Sequence, residues 1–252
     1  MKKNIILLLI LLLLPLIGCL QQHETEQNLF NCILVEGKRK FYSIQEAVDY
    51  AENGDVLRIY PGVYRETITV NKTLQLIGEK AVVSCNSSTG SIITVTANKC
   101  RITGLHVKGI IKSERNSSLT GLRITSAGNK IENNTIENTM YGISLERGAD
   151  NNLIIFNHIL NNTDGIEILL ACHNVLSHNN ISWSCRNGVY LGYQSRFNTI
   201  TQNVFVKNGR AVHLKGVDSN KVTENVFIGN TIETSECCGA EGKNFIENNV
   251  YK

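Results

Sequence analysis

A four-residue block, glycine–apolar–any–apolar, occurs at Gly121-Leu122-Arg123-Ile124, Gly142-Ile143-Ser144-Leu145, Gly165-Ile166-Glu167-Ile168 and Gly188-Val189-Tyr190-Leu191. A fifth copy, Ala211-Val212-His213-Leu214, carries alanine in place of the glycine. The starts are 21, 23, 23 and 23 residues apart. A second block, asparagine–any–apolar, opens at Asn134, Asn157, Asn179, Asn203, Asn225 and Asn249, in steps of 23, 22, 24, 22 and 24. Two blocks in phase at one period describe stacked copies of a single small unit. Such a unit cannot bury its own apolar positions, so neighbours must share one core.

A period of 22–23 residues suits one coil of a parallel β-helix, with three short strands and three turns. Leucine-rich repeats have similar length, but the recurring apolar residues here are mainly Ile, Val and Phe, and β-branched residues favour strands. The expected fold class is therefore all-β: a single right-handed parallel β-helix over 32–252. Successive coils lie about 4.8 Å apart, which places each repeated Asn over its counterpart. Stacked amides then hydrogen-bond along the axis, and Asn tolerates the left-handed backbone of tight corners. This explains most of the Asn enrichment (30 of 252 residues) without a ligand; 20 glycines and only 2 prolines also suit a turn-rich chain.

The N-terminal part differs. Ser43-Ile44-Gln45-Glu46 has the form of a capping box. Ile44, Ala47, Val48 and Ala51 share one helical face, and Gly54 is the expected stop. A helix near 43–52 would cover the first coil, whose open end otherwise exposes core and strand edges. From Ser43 to Glu79 the chain resembles the opening of right-handed parallel β-helix proteins, pectin-methylesterase-like ones among them. Residues 121–251 resemble the NosD-type and related carbohydrate-binding and sugar-hydrolase β-helix repeats. That resemblance is specific for fold; function has to be argued from a site.

Met1–Lys3 followed by the apolar run Ile5–Leu14 reads as a secretory signal, being too short to span a bilayer. Leu16-Ile17-Gly18-Cys19 resembles the lipobox of prokaryotic lipoproteins. That resemblance implies a signal peptide over 1–18, lipid on Cys19, a polar tether over 19–31 and anchorage to the outer face of a membrane. An ordinary or uncleaved signal is the alternative. Without residues 1–18 the chain has 23 basic and 22 acidic residues. This near-neutral balance argues against a nucleic-acid partner. Seven further cysteines, Cys32, Cys85, Cys100, Cys172, Cys185, Cys237 and Cys238, match no zinc spacing. Sequons stand at Asn71, Asn86, Asn116, Asn133, Asn161 and Asn180.

Strand alternation turns the third residue of each Gly block outward. Arg123, Ser144, Glu167, Tyr190 and His213 thus form one column, expected to be exposed. Thr125, Glu146, Leu169, Gly192 and Lys215 form the next, with Tyr193 at its edge. The favoured reading is a non-catalytic binder of polysaccharide or envelope glycan, with Arg123, Glu146, Glu167, Tyr190, Tyr193, His213 and Lys215 as ligand-binding residues. The rival is a polysaccharide lyase or glycoside hydrolase using Asp164, Glu167, Tyr190 and His213. Asn162-Thr163-Asp164-Gly165 resembles the NTDG motif of polygalacturonases. One coil later, however, Arg186-Asn187-Gly188 stands where that family has an acidic pair, and Gly-His-Gly is absent. Hydrolysis normally requires two carboxyl groups. No cofactor or metal site is predicted from the residues. Copper enters only through the NosD resemblance, with His158, His173, His178, His213, Cys172 and Cys185 as the available donors. Finally, Thr234-Ser235-Glu236-Cys237 lacks the apolar pair of a further Gly block. Residues 234–243 are expected to loop over the last coil, or that end to self-associate.

Overall fold

The computed structural model describes residues 32–110 and 117–252. The expected signal peptide, Cys19 and the expected tether, together with the Asn116 sequon, lie outside the described residues. Two sheets form the walls of a parallel β-helix, with eight strands in one and eighteen in the other. The eight-stranded sheet gives the number of coils, and its outer face carries the predicted strip. The larger sheet makes two faces. The long strands Gln75–Ser84 and Arg101–Lys108 each run through both faces, bending near Gly78 and Gly104, whose backbones touch.

Register follows the repeat. Leu122 pairs with Ile143, Ile143 with Ile166, Ile166 with Val189 and Val189 with Val212. These side chains are fully buried, as are Ile136, Ile159, Ile181 and Phe205 from the Asn blocks. The repeated glycines are explained by close approach. A Cβ on Gly165 would lie 2.5 Å from the Gly188 carbonyl oxygen, and one on Gly142 would lie 2.5 Å from that of Gly165.

Asparagines line three corners. The expected column is continuous: Asn134, Asn157, Asn179, Asn203 and Asn225 each donate Nδ2–H to the next residue's Oδ1, ending at Asn249. A second ladder contains Asn129, Asn152, Asn174, Asn198, Asn220 and Asn244. A third uses Thr139 on Asn162, and Asn208 on Asn230, with the Ser184 amide donating to Asn208. The residue before each ladder position commonly has positive φ, as at Asn133, Phe156, His178, Gln202 and Glu224. The left-handed corner is thus taken mainly by the exposed preceding residue, while the ladder Asn is buried and satisfies backbone groups.

The cap is a helix from Ile44 to Tyr50, and Ser43 Oγ accepts from Glu46 N as expected. Glu46 is not the reciprocal partner. Glu66, from the following coil, accepts from Ile44 N at 2.8 Å, Gln45 N at 3.0 Å and Ser43 Oγ at 2.8 Å. The C-terminal end also differs from expectation. Ala51 is the cap residue, and Lys72 Nζ donates to the carbonyls of Val48, Asp49 and Ala51. Gly54 lies three residues further on, at φ +96°.

At the other end, the expected loop over 234–243 begins as a strand. Ile232–Cys237 pairs in parallel with Arg210–Lys215, placing Thr234 beside Val212 and Glu236 beside Leu214. Backbone pairing extends the sheet although polar residues occupy the inward positions. Glu236 satisfies its oxygens by accepting from Gly242 N and Asn244 Nδ2. Only the turn after Cys237 folds back, burying Ala240.

Candidate functional site

Each coil adds one outward residue to the strip, in the predicted order: Arg123 beside Ser144, then Glu167, Tyr190, His213 and Ser235. The strip is less exposed than alternation alone suggests. Ser144 is 2% and Glu167 9% exposed, and the two share a hydrogen bond. Arg123 clamps Glu146 with two hydrogen bonds, Nε to Oε1 at 2.7 Å and Nη2 to Oε2 at 2.6 Å. This bidentate pair fixes the position of the Glu146 side chain at the edge of the strip.

Glu167 has a contrasting environment. Burial and the nearby Asp164 charge push its carboxyl up to about 7, against the opposing Ser144 hydrogen bond and the Arg186 charge. Ser144 Oγ donates to Glu167 Oε2 at 3.4 Å. Near neutral pH Glu167 is thus held between protonated and ionised forms. The Tyr190 and His213 rings follow, with centroids 5.6 Å apart. Burial, aided by the Arg210 charge, holds His213 below the ordinary imidazole value. Tyr193 and Lys215 are exposed at the edge.

Asp164 does not belong to this working surface. It is fully buried, ion-paired with Arg186 and hydrogen-bonded by Asn187 N at 3.1 Å and Nδ2 at 2.9 Å. Its carboxylate joins successive coils and has no free face for a substrate. The sequence feature that reveals this is Arg186-Asn187, one coil beyond Asp164.

An open groove of about 280 Å³ is lined by Arg123, Tyr141, Ser144, Glu146 and Glu167, together with Ser91 and Thr120. Tyr141 and these hydroxyl residues were not singled out from the sequence. Ser91, Thr120 and Tyr141 share one register position, directly before the Gly block where that block is present, outside the two columns read from strand alternation. A larger groove of about 370 Å³ lies on another face, bounded by Val63, Arg65, His106 and Lys108. It gathers cations, but Glu137 already engages both His106 and Lys108.

The potential copper donors are dispersed. His158 stands beside Asn180 in register, His178 packs on Phe156, and His173 stacks on Phe197. Among the described residues no three His, Cys, Asp or Glu side chains converge as a metal ion requires. The donor arrangement does not fit copper. All seven cysteines among the described residues are free thiols.

Fold and strip together define a β-helix protein with an ionisable, aromatic-edged face. Residues 53–252 match the family model described as periplasmic copper-binding protein (NosD), and the chain belongs to that family. It is 28% identical to the cell surface glycoprotein of Methanothermus fervidus, over 271 aligned positions. The alignment includes 99% of this chain and 43% of that relative, so the chain spans less than half the relative's length. Among solved structures it is similar to an alginate lyase from Paenibacillus, with a TM-score of 0.53 and 15% identity over 83% of this chain and 94% of the other. It is also similar to the Dettilon tailspike protein, with a TM-score of 0.53 and 14% identity over 78% and 55%. At such identities these structures bear on fold alone.

Proposed function

We propose that this is an extracytoplasmic polysaccharide-binding β-helix, anchored through lipid on Cys19, that holds a glycan along the Arg123–His213 strip. The carrying observation is the open groove over Arg123, Tyr141, Ser144, Glu146 and Glu167. An extended sugar chain laid across parallel coils meets a new outward side chain about every 4.8 Å. Tyr141 and Tyr190 offer ring faces for sugar C–H surfaces, while Arg123 and Glu146 offer hydrogen bonds. The exterior location is supported by the periplasmic description of the family and the cell-surface relative.

One observation favours a second reading. Two carboxyl groups line the groove in different surroundings, Glu146 hydrogen-bonded by Arg123 and Glu167 buried and raised to about 7. Such a pair is the acid and base arrangement of glycoside cleavage. A glycan array followed by reducing-sugar and unsaturated-product assays on each retained glycan separates the readings. Binding without turnover supports the binder. Turnover lost in Glu167→Gln with binding kept supports the enzyme, and an array that retains nothing overturns both.

A further inference from the structure

Where the strip reaches its last coil, three side chains meet for which neither core packing nor the groove provides a reason. Cys237 ends the strand Ile232–Cys237 and stands beside Lys215 in register, on the outward side. Its Sγ is 3.2 Å from Cys238 Sγ and 3.8 Å from His213 Nε2. His213 Nδ1 is 2.6 Å from Ser235 Oγ. In the tautomer that donates Nδ1–H to Ser235, Nε2 presents its lone pair to the Cys237 thiol. Cys238 is exposed at φ +62°, and Gly239 follows at φ +91°, so the second sulfur lies on a turn open to solvent. Of the other thiols among the described residues, Cys32, Cys85 and Cys100 are buried, and Cys172 and Cys185, though more accessible, are not adjacent in the chain to another cysteine.

We propose that Cys237 and Cys238 form a redox-active vicinal dithiol that closes reversibly by exchange with low-molecular-weight disulfides, with His213 as the base. His213 Nε2 takes the Cys237 thiol proton, and the thiolate attacks one sulfur of the small disulfide. A Cys237 mixed disulfide forms, and the departing thiolate takes the proton from the imidazolium. Cys238 then loses its proton to the regenerated imidazole and attacks Cys237 Sγ. The second small thiolate leaves and is protonated in turn. Two protein thiols are oxidised and one disulfide is reduced to two thiols. Burial and the Arg210 charge keep the His213 ring neutral, which leaves its Nε2 lone pair toward the thiol. The Cys238 contact and burial raise Cys237, so a base is needed to generate its thiolate. Adjacent Cα atoms lie about 3.8 Å apart, closer than the roughly 4.4–6.8 Å of ordinary disulfides. The closed ring is therefore strained and easily reduced, which suits a reversible modification better than a structural bridge. This inference does not depend on glycan binding.

The test exposes the full chain to hydroxyethyl disulfide, then alkylates, digests and weighs the peptide containing Cys237 and Cys238. The expected product lacks two hydrogens, resists alkylation and regains both alkylation sites after dithiothreitol. Cys238→Ser is expected to stop at a mixed disulfide on Cys237. His213→Gln, with an unchanged circular dichroism spectrum, is expected to slow the first step by about tenfold or more. Two alkylated sulfurs after disulfide treatment of the wild type would overturn the proposal, as would pairing of Cys237 with a distant cysteine. Oxidation of His213→Gln at the wild-type rate would remove His213 as the base and overturn the mechanism.

Discussion

Replacing Asn203 by alanine tests whether the ladders hold the coils together. Asn203 is fully buried. Its Oδ1 accepts from Asn179 N and Nδ2, both at 2.9 Å. Its Nδ2 donates to the carbonyls of Leu176 at 2.8 Å and Thr201 at 3.0 Å, and to Asn225 Oδ1 at 3.1 Å. Alanine removes the acceptor of the Asn179 backbone amide and the side-chain donor to the Leu176 carbonyl. Each buried group left unpaired costs about 1–3 kcal/mol, so the pair predicts a loss of about 2–6 kcal/mol. Domains of this kind have total stabilities of about 5–15 kcal/mol, which makes the effect readily measurable. Urea unfolding followed by circular dichroism reads it, with Gln202→Ala as an exposed neighbouring control expected within about 0.5 kcal/mol of wild type. If Asn203→Ala unfolds within about 0.5 kcal/mol of wild type, the ladder does not carry the stability assigned to it.

Three other outcomes follow from the same structure. Glu66→Ala should loosen the cap helix by about 1–2 kcal/mol, read as faster hydrogen exchange at Ile44–Val48 with little change in later coils. Glu167 binds its proton more tightly in the folded than in the unfolded chain, so the stability from this group is full below its ordinary value of 4.5. It is lost as pH rises to about 7, by about 3 kcal/mol at most, and Glu167→Gln should flatten that slope in thermal melts across this window. Arg186→Ala leaves the Asp164 carboxylate buried without its cation and should cost about 3–5 kcal/mol at neutral pH by chemical denaturation. A loss below about 1 kcal/mol would show that Asp164 is not held as an ion pair.

The coil register was legible because the Gly block constrains itself twice, through inward apolar residues and through glycines that admit no Cβ. The strip order therefore followed from arithmetic on the sequence. Burial of Glu167 did not, because alternation gives a side chain's direction and not its depth among its neighbours. The caps supplied by Glu66 and Lys72 were equally hidden, since each acts on a helix about 20 residues earlier in the chain. Asp164 shows where a motif misleads: its Asn-Thr-Asp-Gly context suggested chemistry, and the Arg186-Asn187 pair one coil later makes it structural. The strand at Ile232–Cys237 lacks the apolar pattern and forms through backbone pairing to Arg210–Lys215.

Hydrogen exchange with and without a glycan selected from the array tests most directly where the sugar lies. The predicted result is protection in the strands Thr120–Ile124, Tyr141–Leu145, Asp164–Leu169 and Asn187–Gly192, lost in Arg123→Ala and Tyr141→Ala variants of unchanged fold. Protection confined to the groove beside Val63 and His106, or glycan binding undiminished in those variants, would contradict it.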